Sequence, residues 1–442
     1  MASQWYLLGK EIDHRLKIYF RANSSIDRIL YRIILGNIAL LIYFNFLNLI
    51  PGDLIKHFFW GTWVVLGLFY SWPTRGKIIE ESVTSQLEEF KFLDRFEKTV
   101  LFLALVLFII SIPEIPALEN IEAFKLIIDP SEEIHPQLWN FLSVNYYPFV
   151  KFPKVYALAW SLHLYFIGIG FYLLALYGIL RFFVSRRLSI LGVFSLISSW
   201  SFSKILQADV GASLTTTYSL IWIWSLVFCT KSSTYRSGLF MGLVCYWGTL
   251  IHQNFAFLLP IQLILLNLFL VKERTKWYRM QTMKYSILGI ILTFISFFSH
   301  ADTAFSYKGI GIVEIVTQSV AFLDQKAFFW LAGFGLIIVL SSRFANRFNQ
   351  LSKLRMDTTK LNEVLISFLI IAVVSIILER SLLNHFGLLW VFVLLSLIPL
   401  EWIFQGITRL RSRRNIIYVL YILICLLDSH FEGRLKILNK FF

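Results

Sequence analysis

Charge is scarce in this chain. Only 15% of its 442 residues are Asp, Glu, Lys or Arg, where soluble domains carry about 25%. Hydrophobic residues make up 57% and aromatics 17%, and the mean hydropathy is +0.68. This composition leaves too little polar surface to cover a soluble domain, and it predicts a multi-pass membrane protein. Cysteine is nearly absent as well. Cys229, Cys245 and Cys425 lie far apart in apolar segments, which excludes a disulfide framework or a Cys-rich zinc site. Walker A, HExxH, GxSxG and c-type haem patterns are all missing, so an ATPase, a zincin or a serine hydrolase has no local support.

Acids are also few beside bases, 27 against 41, for a net charge of +14. In a soluble protein that balance would point to nucleic acid; in a membrane protein it predicts cationic cytoplasmic loops, and no nucleic-acid partner is expected. The opening residues MASQWYLLGKEIDHRLK lack the basic, apolar and small-residue order of a secretory leader, so a cleaved signal peptide is not expected. No short internal repeat is present, and the apolar runs are irregular in length, which argues against an inverted-repeat transporter.

Apolar runs bounded by charge predict an all-α fold, a polytopic helical bundle of about thirteen spans. The predicted spans lie near 30–50, 55–72, 98–113, 154–181, 187–204, 212–230, 236–252, 254–271, 284–299, 326–342, 361–379, 386–405 and 415–428. With the N-terminus cytoplasmic, roughly 30 of the 41 basic residues fall inside, as the positive-inside rule requires. The inner clusters include RFFVSRR (181–187), KERTKWYRMQTMK (272–284) and RLRSRR (409–414). Segment 76–98, with Ile78, Ile79, Val83, Leu87, Phe90, Leu93 and Phe96 at helical intervals, reads as an amphipathic helix on that face. Many tryptophans, among them Trp60, Trp63 and Trp402, fall near span ends as an aromatic belt.

What the sequence does have is one long polar loop on the outer side. Residues 114–154 collect Glu114, Glu119, Glu122, Asp129, Glu132 and Glu133 before His135-Pro136 and an aromatic run. Acids beside a bilayer are costly unless used. The cluster Asp129, Glu132 and Glu133 could act as a general base, or could hold a divalent cation, magnesium or manganese, against a phosphate leaving group. The same residues also read as a helix start, with Asp129 as cap and Pro130 first in the helix. Other outer polar groups are Asp209, His252-Gln253-Asn254, Glu379-Arg380 and His385. Asp209 suits a helix cap, His252 and Gln253 a turn or a head-group contact, and Arg380 a bidentate phosphate contact.

Residues 188–228 (LSILGVFSLISSWSFSKILQADVGASLTTTYSLIWIWSLVF), 235–260 (YRSGLFMGLVCYWGTLIHQNFAFLLP) and 132–139 (EEIHPQLW) resemble the GT-C superfamily of membrane glycosyltransferases, in its protein-mannosyltransferase-like branch. The likeness covers about residues 100–270. It implies a catalytic acid at Asp129, Glu132 or Glu133, with Asp209 a secondary acid and Arg380 facing phosphate. His135, His252, Gln253 and His385 would bind substrate. It further implies a lipid-linked sugar donor, a lipid, glycan or protein acceptor, and a setting in a bacterial inner or ER-like membrane. Two departures stand out: the acids do not directly follow the span ending at Pro113, and two spans precede it.

The expected organisation is an N-terminal hairpin plus amphipathic helix over 1–97, a GT-C-like core over 98–300 and a C-terminal membrane region over 301–442. The function expected is sugar transfer from a polyprenyl-phosphate donor on the outer face. A transporter or lipid flippase, or an acyltransferase using His252 or His385, is the alternative.

Overall fold

The computed structural model describes residues 2–16, 25–47, 55–71, 92–112, 151–162, 168–199, 210–231, 237–251, 326–345, 389–406 and 413–427. It also describes single residues at 165, 202, 206, 284, 287, 288 and 291. Among the described residues there is no strand, and the fold is all-α. The helices are α1 (Ala2–Leu16), α2 (Ser25–Leu47), α3 (Ile55–Ser71), α4 (Arg95–Ser111), α5 (Pro153–Leu162) and α6 (Gly170–Phe183). They continue with α7 (Arg186–Ser198), α8 (Val210–Lys231), α9 (Ser237–Ile251), α10 (Lys326–Ala345), α11 (Leu389–Gly406) and α12 (Arg414–Leu427).

Each of α2 to α12 falls on a predicted apolar segment. The segment 154–181, expected as one span, holds two helices, α5 and α6. Segments 254–271 and 361–379 lie outside the described residues, and 284–299 does so apart from four residues. Helix α1 was not anticipated. Among the described residues no helix is long and apolar enough to cross a membrane.

The helices divide into two compact units. The first holds α1, α2, α3, α5 and α9 with residues 170–174 of α6 and 221–231 of α8; the second holds α4, α7, α10, α11 and α12 with the remainder of α6 and α8.

In the first unit α1 lies against α2 at glycines. A Cβ on Gly9 would overlap the Arg32 carbonyl oxygen, and one on Gly36 would overlap the Trp5 carbonyl oxygen. Only glycine at both positions lets the two backbones touch, the small-residue crossing familiar from close helix pairs. Trp5, Tyr6 and Asp13 share the buried face of α1 with Gly9, and Glu11 and Arg15 pair on its exposed face. Tyr43 and Thr62 hydrogen bond at 2.8 Å to join α2 to α3.

In the second unit α7 is central: every residue from Leu188 to Ser198 is buried. It packs against α4, α11 and α12. Its serines survive burial because Ser195 and Ser198 donate back to the Gly192 and Ser195 carbonyls at 2.8 Å, satisfying the hydroxyl within the helix. Pro399 sits inside α11 and has no N–H to give the Leu395 carbonyl. α10 lies against that carbonyl, and a Cβ on Gly335 would overlap it.

Helix α4 starts abruptly. Asp94 is extended and caps it, its side chain accepting the Glu97 N–H at 2.7 Å while Glu97 accepts the Asp94 N–H at 3.0 Å. This reciprocal pair is a capping box. The amphipathic helix expected over 76–98 therefore does not run through its last residues; a new helix begins at Arg95 instead.

Candidate functional site

The residues singled out from sequence, Asp129, Glu132, Glu133, His135, Asp209, His252, Gln253, Arg380 and His385, all lie outside the described residues. The structure does place the ends of the helices that flank the acid loop: α4 closes at Ser111 with Ile112 as its C-cap, and α5 opens at Pro153.

The chemistry that the described residues bring together sits at the other end of α4. Glu97 is 1% exposed and receives the Arg186 guanidinium on both oxygens, each at 2.9 Å. The two parallel bonds of this fork are the strong form of a carboxylate–Arg contact. They push the Arg186 guanidinium further above its ordinary value, against the opposing effect of burial. Arg187 pairs with Asp94 alongside. Glu401 of α11 accepts the backbone N–H of Ser185 at 3.3 Å. That residue caps α7 without a side-chain bond of its own, so the carboxylate of a distant helix meets a donor beside the helix start. Phe96 stacks on Tyr418 at 5.6 Å, and Phe404 meets the same ring edge-on at 5.2 Å. Four helices thus meet around two cationic dipeptides, Arg186-Arg187 and Arg413-Arg414.

The surface of this cluster remains basic. Arg95, Lys98 and Arg413 are exposed, and no described acid forms an ion pair with any of them. Beside the cluster the outward faces turn apolar. Phe102, Leu105 and Ile109 stand exposed along α4, and Ile416, Val419, Leu420, Leu423, Ile424 and Leu427 along α12.

A second polar group lies in the first unit. Arg32, two turns into the apolar helix α2, donates to Asp13 at 3.2 Å and to the Tyr6 hydroxyl at 3.1 Å. Burial holds the Asp13 carboxyl above its ordinary value, while the charge of Arg32 pulls it down. Nearby in the same unit, Trp224 donates its indole N–H to buried Asp27 at 2.9 Å, and its ring stacks on Phe228 at 5.0 Å. Sequence reasoning missed both groups. The available signal was an Asp and two Arg within eight residues at the head of an otherwise apolar run, Asp27, Arg28 and Arg32.

Among the described residues no set of three His, Cys, Asp or Glu is arranged to hold a metal ion. Comparison with protein-family models, curated proteins and solved structures gives no match for this chain.

Proposed function

We propose that this chain is an integral membrane glycosyltransferase of GT-C type, moving a sugar from a polyprenyl-phosphate donor to an acceptor at the outer face. The membrane part of this reading is supported by the apolar outward stripes of α4 and α12. Side chains recurring at i, i+3 and i+7, such as Phe102, Leu105 and Ile109, cover a surface that water would penalise and lipid would not. The described part of α12 is 14 residues, about 21 Å of rise, short of the roughly 30 Å hydrocarbon layer. Crossing would require the chain on either side of it to contribute.

One observation carries the catalytic part: the acid-rich loop follows the end of α4 opposite the cationic cluster. Opposite charge at opposite ends of one helix is the polarity expected when bases stay inside and carboxylates work outside. In the proposed step Asp129, Glu132 or Glu133 takes the proton from the acceptor hydroxyl as that oxygen bonds to the anomeric carbon. The bond from that carbon to the lipid phosphate oxygen breaks, and Arg380 stabilises the departing phosphate. Changing Asp129→Asn, Glu132→Gln and Glu133→Gln one at a time should lower glycan transfer about 10²-fold or more in at least one variant. Unchanged transfer in all three sinks the assignment.

The transporter alternative keeps one observation in its favour, the buried Asp13–Arg32 pair, since ionisable groups inside an apolar bundle commonly mark a transport path. Its test is substrate movement across proteoliposomes, which Arg32→Gln would abolish and which a glycosyltransferase would not show at all.

A further inference from the structure

We infer that the basic end of the second unit is a docking surface for anionic phospholipid head groups. The inference rests on the membrane part of the reading above, and not on sugar transfer. Asp94 and Glu97 are already paired with Arg187 and Arg186, and Glu401 accepts the Ser185 N–H, so the acids of the cluster are engaged within the fold. Arg95, Lys98 and Arg413 are left over, exposed, with no described acid to meet them.

Their position identifies the occupant. The Phe96–Tyr418 stack holds the first turn of α4 against the second turn of α12, so Arg95, Lys98 and Arg413 lie at the head of two helices whose outward faces become apolar within one or two turns. Phe102 is 64% exposed and Ile416 61%. A soluble polyanion would match the cations but gain nothing from the stripes beside them. A phospholipid matches both, phosphate to the cations and acyl chain to the stripe.

The test uses the full chain reconstituted in bilayers of equimolar phosphatidylcholine and phosphatidylglycerol, extracted gently, with the retained lipids counted by native mass spectrometry. The wild type should keep phosphatidylglycerol in preference to phosphatidylcholine. Arg95→Gln, Lys98→Gln and Arg413→Gln together should erase that preference, at about fivefold for each cation removed. The charge-keeping variants Arg95→Lys and Arg413→Lys should retain it, which separates loss of charge from loss of fold. Equal retention of both lipids by the wild type overturns the proposal. Full displacement of phosphatidylglycerol by inorganic phosphate also overturns it, in favour of a small-anion site. A chain that does not enter the bilayer overturns the membrane reading along with it.

Discussion

Removing Arg186 and removing Glu97 are not equivalent. Glu97 is 1% exposed while the Arg186 side chain is 38% exposed. Losing the arginine strands a carboxylate in the interior, whereas losing the carboxylate leaves a guanidinium that can turn to water. Arg186→Gln should therefore cost about 3 kcal/mol and Glu97→Gln distinctly less, read as unfolding temperatures in one detergent. Equal losses would show that the pair is solvated. Asp13 supplies a pH signature. Its carboxyl is held above the ordinary value of 3.8 by burial, so the folded state binds that proton more tightly than the unfolded chain does. The resulting stability is present below about pH 3.8 and is lost as pH climbs through the raised folded value. Asp13→Asn should flatten the stability profile over that window, and an unchanged slope would place the titration elsewhere. Little of this could be read from sequence. Arg32 stands out in an apolar run, but its partner Asp13 lies 19 residues away in a helix too rich in charge to read as an apolar run.

Helices were more legible than the contacts between them. The apolar segments gave α2 to α12 because a run of apolar side chains bounded by charge is itself the physical cause of those helices. Helix α1 was missed because it is amphipathic rather than apolar: Trp5, Tyr6, Gly9 and Asp13 make its buried face, but Lys10, Glu11, His14 and Arg15 keep it from forming the apolar run by which the other helices were read. The glycines matter for the crossings. Gly36→Ala would drive a methyl into the Trp5 carbonyl, and Gly335→Ala one into the Leu395 carbonyl that Pro399 leaves without its usual donor. Each should cost about 1–3 kcal/mol or more as the backbones are pushed apart. Gly61 offers the control, since nothing lies within 4 Å of a Cβ placed there; Gly61→Ala should stabilise by up to about 1 kcal/mol through helix propensity alone. Thermal unfolding of the three variants side by side decides the matter, and a destabilised Gly61→Ala would contradict the account.

At the scale of the whole chain, the proposed topology puts a cationic cluster at the start of α4 and the acid-rich loop after its end in sequence. The cationic cluster is built by contacts among Asp94, Glu97, Ser185, Arg186, Arg187 and Glu401 that join segments up to 216 residues apart. No local pattern reveals such pairings. The acid-rich segment was legible at once, because six carboxylates between two apolar runs need no tertiary structure to be noticed. Its catalytic geometry was not, since clustered acids that cap a helix and clustered acids that take a proton read alike in sequence. The measurement that tests the arrangement most directly is the sidedness of two single substitutions, Glu133→Cys and Arg413→Cys, probed in intact cells with a membrane-impermeant maleimide. Cys245 and Cys425 are buried, and Cys229→Ser in the same background removes the third native thiol. The account predicts labelling at position 133 in intact cells and at position 413 only after the membrane is opened. Labelling of 413 in intact cells, with 133 protected, would contradict it.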